Sequence, residues 1–360
     1  MTIQPRLLLG SGPSPVPQRV LDALAQPTIG HLDPQFGAIM DDVAELLRAT
    51  FRTGNRVAFP VSGTGSAGMQ AMVDNLIAPG DRVVCGVHGV FGGRMADALQ
   101  RVGADVVRVE AEWGRALDRD ALADAMTGDT RALFVVHGET STGVAQPLDG
   151  LREIAGDALL LIDCVTSLAG HPLDLDAAGV DAAFSGTQKC LNCPPGLAPF
   201  TLNERAAANL QRRSWYFDLE AILAYWKPEG GGGRAYHHTA PINMVYALQE
   251  ALRIVQEEGL EARWARHGEA HEALRADLAE LGFERLAPDG EQLHPLLCVR
   301  VPEGIDEAAV RGRLLTEHGI EVSGGLGPLA GQAWRIGVMG EGARPEARER
   351  LVTALRAELT

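Results

Sequence analysis

The sequence predicts an α/β fold: a large domain built on a mainly parallel seven-stranded sheet covered by helices, followed by a smaller C-terminal α+β domain. Three observations predict it. Between residues 57 and 202, short apolar runs without polar alternation are separated by amphipathic stretches, the pattern of parallel strands buried on both faces. After two long helical patterns the tail repeats strand, helix, strand, helix. The chain has 360 residues, more than one hydrophobic core usually serves.

Each element has its own signal. The Pro- and Gly-rich start, Gly10–Pro17, reads as an extended arm, and Asp41–Phe51 has helical periodicity. The strand-like runs are Arg56–Pro60, Arg82–Val87, Ala104–Val109, Ala132–Val136, Ala158–Ile162, Ala182–Ser185 and Leu197–Leu202. Helical patterns at Ser66–Ile77, Phe91–Val102 and Asp118–Met126 lie between several of them. Four consecutive glycines, Gly230–Gly233, predict a flexible loop. Helices at Ile242–Glu258 and Leu260–Leu281 follow, then strand Leu296–Val301, helix Glu307–His318, strand Trp334–Val338 and helix Pro345–Leu359. The expected division is an arm (1–15), a large domain (16–240), and linking helices with a small domain (241–360).

Composition narrows the function. A formal charge of −15 is the wrong sign for gripping nucleic acid by its phosphates. No apolar run approaches membrane-spanning length, and Leu7–Leu9, bracketed by Pro5 and Gly10, is too short for a signal peptide. Five scattered cysteines point to a reducing compartment, hence the cytoplasm. Of 32 basic residues only Lys189 and Lys227 are lysines. An amine can lose its proton and attack a carbonyl, which a guanidinium does not do. Codon bias with two chance survivors is the bland alternative, and composition does not separate the two.

Three groups converge on one edge of the predicted sheet. Ser62-Gly63-Thr64-Gly65-Ser66 lies between a strand and a helix, where small residues and a helix N-terminus close around an anion. Asp163 ends the run Ala158–Ile162, at the carboxyl edge where ligands of such sheets sit; capping the next helix is its other possible role. Lys189 follows the next strand and the turn Gly186-Thr187-Gln188. An anion cup, a carboxylate and an amine together suit a phosphorylated pyridine aldehyde, pyridoxal phosphate (PLP). The cup takes the phosphate, the carboxylate keeps the ring nitrogen protonated, and the amine forms a Schiff base. Arg335, on an apolar strand of the small domain, needs an anion there: a substrate carboxylate or an internal Asp or Glu.

These segments together resemble the class V, fold-type I PLP aminotransferases, and within them the alanine/serine–glyoxylate group. The resemblance spans nearly the whole chain. It rests on Gly10–Ser14, Ser62–Ser66, His137-Gly138-Glu139-Thr140-Ser141-Thr142-Gly143, Asp163–Ser167 and Ser185–Lys189, and on Pro194–Gly196, Tyr236–Thr239, Gly324–Pro328 and Arg335–Gly337. It implies Lys189 and Asp163 as catalytic residues and Thr64, Gly65, Ser66 and Gln188 around the phosphate. Phe91 would stack on the ring, where tryptophan is familiar in the family; Thr140 and Val165 would also contact the cofactor. Tyr236 and Thr239 would reach the phosphate of a neighbouring subunit, in a homodimer with shared sites. Arg335 would clamp the substrate carboxylate with Thr140 nearby, while Gly30 and His31 would line the mouth of the partner's site. The implied activity moves the amino group of alanine or serine to glyoxylate through pyridoxamine phosphate.

Rival readings have weaker support. Gly63, Gly65 and Gly68 satisfy the dinucleotide fingerprint, but the next strand ends at His88-Gly89 without the carboxylate that holds a ribose. That counts against a nicotinamide oxidoreductase. A catalytically dead binding protein would not need the full Asp163–Lys189–Arg335 set. Cys190-x-x-Cys193 lacks the second pair of a zinc site and reads as small buried residues. His267 and His271 read as a solvated helix face, and His237-His238 as part of the loop carrying Tyr236. No metal is expected. Cysteine desulfurases, on the same fold, need a cysteine in the C-terminal half, and none follows Cys298. Ureidoglycine–glyoxylate aminotransferases are the nearer alternative, with similar motifs at Thr187–Cys190 and Gly327–Gly331. Those relatives tend to carry Gln and Asn where this chain has His31 and Tyr236, which favours alanine or serine as donor.

Overall fold

A computed structural model describes residues 3–226 and 233–359; Lys227 and most of the predicted glycine loop lie outside the described residues. Seven strands build the main sheet: β1 (Val57–Ser62), β2 (Arg82–Val87), β3 (Asp105–Glu110), β4 (Thr130–Val136), β5 (Leu159–Asp163), β6 (Ala182–Phe184) and β7 (Leu197–Leu202). Their spatial order is β1-β7-β6-β5-β4-β2-β3. β7 runs antiparallel to both neighbours, β1 and β6, and every other pairing is parallel. Two reversals cancel, so β1 points the same way as the rest, and all strands except β7 end at one edge.

Burial follows position in the sheet. Every residue of the central strands β5 and β6 is buried, which is why they read as unbroken apolar runs. Edge strand β3 instead exposes Asp105, Arg108 and Glu110, charges that discourage pairing with another chain. Pro60 and Pro199 face each other across β1 and β7. Neither has an N–H to donate, so the pair suits a non-hydrogen-bonded position in the ladder.

Helix α1 (Pro34–Phe51) begins at Pro34 rather than at Asp41, as the periodicity had suggested. Asp33 caps it by accepting from Gln35 N at 2.8 Å, with Pro34 in the first turn. Helices α2 (Gly65–Leu76) and α3 (Val90–Arg101) follow β1 and β2 directly, so their N-termini open on the carboxyl edge of the sheet. Helix α4 (Ile242–Glu258) buries Val245, Leu248 and Leu252 in the core of the main sheet.

A second core lies under a four-stranded antiparallel sheet of β8 (Glu284–Arg285), β9 (Leu296–Arg300), β10 (Ser323–Gly324) and β11 (Ala333–Gly337), ordered β8-β9-β11-β10. Helix α5 (Leu260–Glu280) joins the two, placing Leu260 and Trp264 in the first core and Leu274 and Leu278 in the second. The N-terminal arm is built into the second core. Leu7 and Leu8 pair in parallel with Ile320 and Glu321, and Leu9 is buried there, a contribution of roughly 2 kcal/mol.

One expectation fails here. His267 and His271 do not face solvent: they are 0% and 1% exposed. Helix α5 packs between the domains, so its inward stripe runs on through Arg263, His267 and His271. His267 is accommodated because Nδ1 donates to Arg263 O at 2.6 Å while Nε2 accepts from Gly340 N at 2.8 Å. Burial holds its pKa down to about 3, so this imidazole is neutral.

Candidate active site

Strand register brings the first two candidates together. Val136, Asp163 and Phe184 lie abreast on β4, β5 and β6, so Asp163 closes one strand beside the turn that leads from its neighbour to Lys189. Asp163 is buried, and its carboxylate accepts one hydrogen bond, from Val165 N to Oδ1 at 2.8 Å. Burial pushes its carboxyl up to about 7, against the pull of the Val165 bond; the Glu139 charge adds to the rise and the Lys189 charge opposes it. Lys189 is 8% exposed. Burial brings its amine down to about 8, an effect that Arg335 reinforces and Asp163 and Glu139 oppose. Its Nζ donates to Ser11 O. Gly12, at φ 110°, lies flat against the amine: a Cβ there would sit 2.7 Å from Nζ.

The predicted anion cup faces the same space. Thr64 is exposed at the N-cap of α2, and its side chain makes no cap bond. Gly65 is buried, and a Cβ on it would meet Val165 Cγ2 at 3.0 Å. Val165 Cγ1 in turn lies 3.4 Å from where a Cβ on Gly186 would be, and Gln188 Oε1 lies 2.9 Å from the same point. Gly65, Val165, Gly186 and Gln188 thus pack together, with Thr64 and Ser66 exposed on either side of Gly65. The Oε1 of Gln188 is buried without a partner.

Phe91 lies in the first turn of α3, half-buried, with the Arg94 guanidinium 4.8 Å from its ring centroid. Glu139 fixes that turn. Its Oε2 accepts from Phe91 N at 3.0 Å and Gly92 N at 3.3 Å, and its Oε1 from Ser141 N at 3.0 Å and Ser141 Oγ at 2.6 Å. Four donors on one fully buried carboxylate define the position of α3 relative to the Thr140 loop, although burial still raises its pKa. In the sequence Glu139 belongs to the His137–Gly143 motif without a role of its own. An acid enclosed by apolar and small residues was the available signal.

Arg335 reaches the site from the second sheet. It is 7% exposed, its Nε donates to Gly324 O at 2.8 Å, and it forms no ion pair with any described carboxylate. Among the described residues, no Asp or Glu pairs directly with this cation; the Glu139 charge only favours it from a distance. Cys298 pairs with it across β9 and β11. A Cβ on Gly143 would meet the Cys298 Cβ at 3.0 Å, so the second sheet closes directly on the loop after Thr140.

Four candidates stand apart from this cluster. Tyr236 is 58% exposed, and its hydroxyl lies 3.3 Å from Thr239 Oγ1. The His31 ring packs 4.9 Å from the Tyr236 ring, with Gly30 exposed beside it. His238 Nε2 meets Ser62 Oγ at 2.8 Å, linking this loop to the start of the anion cup. Cys190 and Cys193 are buried and unpaired. A cleft of about 660 Å³ between Arg52, Gln146, His171 and Trp264 contains none of Asp163, Lys189 and Arg335. Chemistry rather than cavity size locates the site.

The residues present fit a phosphorylated pyridine aldehyde. A buried carboxylate with spare acceptor capacity suits a protonated ring nitrogen, an amine lowered to about 8 suits a carbonyl carbon, and a helix N-terminus suits a phosphate. The two-domain fold and this site define a fold-type I pyridoxal-phosphate enzyme. The chain belongs to the class-V aminotransferase family, whose model matches residues 6–332. It is similar to the solved alanine–glyoxylate aminotransferase of Nostoc sp., with 45% identity, a TM-score of 0.96, and coverage of 100% of this chain and 97% of that one. The solved ureidoglycine–glyoxylate aminotransferase of Bacillus subtilis gives 39% identity and a TM-score of 0.96, covering 100% and 94%. The alanine–glyoxylate aminotransferase of Rattus norvegicus is 37% identical over 100% of this chain and 89% of its own length. The chain is accordingly a PLP-dependent aminotransferase.

Proposed function

We propose that the enzyme moves the amino group of alanine or serine to glyoxylate. The observation that carries this is the meeting of a buried carboxylate, a buried amine and a guanidinium without an internal carboxylate partner at one edge of the sheet. Bound there, PLP supplies an aldehyde carbon for the amino group and a cationic ring that withdraws electrons from the substrate α-carbon. Asp163 keeps the ring nitrogen protonated, and burial of the pair strengthens that hold. Lys189, neutral in a large fraction near pH 8, takes the α-proton and returns it on the other side of the exchange. Arg335 binds the substrate carboxylate through its two terminal nitrogens. Thr64, Gly65, Ser66 and Gln188 hold the phosphate, Phe91 packs on the ring, and Thr140 and Val165 complete its surroundings.

The active unit in this reading is a homodimer. Trp215, Tyr216 and Tyr236 are exposed, at 73%, 42% and 58%, and ring contacts link this patch through His237 and His238. A second copy covering the patch would bring Tyr236 and Thr239 to its own phosphate site and place Gly30 and His31 at the mouth. No described helix is long and apolar enough to cross a membrane; the five buried, unpaired cysteines support a reducing compartment such as the cytoplasm.

A second reading, ureidoglycine as donor, draws support from the Bacillus subtilis relative named above. The His31–Tyr236 ring pair at the mouth favours the smaller, less polar donors. The test is a half-reaction screen: holoenzyme is mixed with alanine, serine or ureidoglycine while the cofactor band near ~400 nm is followed. Glyoxylate and pyruvate are then compared as acceptors. Bleaching by alanine or serine and recovery with glyoxylate is the expected result. Bleaching by ureidoglycine alone would transfer the assignment to the second reading.

A further inference from the structure

Lys189 and Arg335 belong to different cores, so a shared substrate requires the two cores to be held in register. The loop after Lys189 contains a residue built for that task. Asn192 is 2% exposed and adopts φ 53°, a left-handed conformation that, after glycine, asparagine adopts most readily. Its side chain reaches three other segments. Nδ2 donates to Ser14 Oγ at 2.9 Å and Pro15 O at 2.9 Å on the arm, and to Met339 O at 3.3 Å just past β11. Oδ1 accepts from Arg263 Nη2 on α5 at 2.9 Å, and the same nitrogen reaches Cys190 O at 2.6 Å.

The surroundings of Asn192 are fixed as tightly. Ser14 Oγ donates to Lys189 O at 2.6 Å, closing a ring of bonds around the lysine. Arg263 is 2% exposed, and Glu258 balances its charge at 2.5 Å. Gly340 packs so closely that a Cβ there would fall 1.4 Å from Asn192 Oδ1. A buried polar network of this kind specifies one arrangement when its members are satisfied and is costly when one is lost.

We propose that Asn192 is a positioning residue: it locks the Lys189 loop to the arm and to the segment after the Arg335 strand, and so sets how amine and guanidinium face each other. This rests on the roles given above to Lys189 and Arg335. Neither composition nor periodicity marks Asn192, because its significance lies in which three distant segments it joins.

Two variants test it. Asn192→Gly keeps the left-handed turn and removes every side-chain bond. Asn192→Asp keeps the volume but turns a donor to Ser14, Pro15 and Met339 into an acceptor. In cofactor-free protein, the rate of amine acetylation at Lys189 is followed against pH by peptide mapping, with Lys227 as the internal reference. The midpoint for Lys189 should rise by about one unit or more toward that of an ordinary lysine, leaving Lys227 unmoved. In the holoenzyme, kcat/KM for the amino acid should fall about 100-fold, the effect expected of a ~1 Å misplacement. Circular dichroism and borohydride trapping of cofactor on Lys189 should be retained. Folded variants with an unchanged Lys189 profile and unchanged kcat/KM would overturn the proposal. If Asn192→Gly does not fold, Asn192→Asp decides on the same readouts. Absence of a trapped adduct on Lys189 in the wild-type enzyme is a separate result, which would sink the underlying reading instead.

Discussion

Replacing Asp163 by Asn should stabilise the cofactor-free protein while weakening its hold on PLP. The carboxyl is buried, and its pKa rises from 3.8 to about 7 on folding. Because the folded pKa is the higher one, the folded state binds more protons than the unfolded state between those values. Stability therefore falls as pH rises from about 4 to about 7, and the full penalty persists above pH 7. A shift of about 3 units at 1.36 kcal/mol each amounts to roughly 4 kcal/mol. Asparagine removes the charge and keeps an acceptor for Val165 N, but buries an amide whose donors cost about 1–3 kcal/mol if unpaired. The net gain is about 1–3 kcal/mol, or a Tm higher by a few degrees at roughly 2 °C per kcal/mol for a chain of this size. Thermal unfolding of cofactor-free wild type and Asp163→Asn at pH 7.5 measures it. A series down to pH 4.5 should shrink the difference as wild-type Asp163 takes up its proton. Cofactor titration should show affinity lower by about 10- to 100-fold, the loss of one charge-assisted bond. A variant less stable than wild type at pH 7.5, or a difference independent of pH, would refute the argument and make Asp163 an architectural residue.

Two further outcomes follow from the same geometry. Arg335→Ala should raise KM for amino-acid substrates about 10- to 100-fold with cofactor affinity unchanged, since its terminal nitrogens pair with no described carboxylate; equal losses in both would make Arg335 structural. Gly12→Ala should strain the arm by about 1–2 kcal/mol and drive a methyl against Lys189 Nζ, so the trapped fraction of cofactor on Lys189 should drop sharply. Wild-type trapping would show that the arm does not pack on the amine.

Much of the site could be read because its chemistry is local. One of only two lysines in an arginine-rich chain, an aspartate ending an apolar run, and small residues between strand and helix are each legible without long-range contacts. Parallel topology puts strand ends on one edge, so the sequence alone places Asp163 and Lys189 at the same edge. The histidines of α5 show the opposite case. His267 has the spacing of a solvated helix face, but it is buried where α5 packs between the two cores, and Gly340, distant in sequence, satisfies its ring nitrogen there. The start of α1 was misjudged for a related reason, since a cap at Asp33 and a proline at the first turn outweighed an interrupted apolar pattern.

By itself the sequence determined the α/β architecture with its mainly parallel seven-stranded sheet, and it singled out Lys189 and Asp163 as the proposed cofactor amine and carboxylate, because periodicity and residue type act over one or two turns of chain. The tertiary structure decided what depends on contacts between segments far apart. It left Arg335 without an ion pair to any described carboxylate, gave Glu139 four donors, laid Gly12 against the amine, and made Asn192 the junction of the arm, α5 and the second sheet. Such roles arise from desolvation and hydrogen-bond geometry, which exist only once the chain has closed on itself.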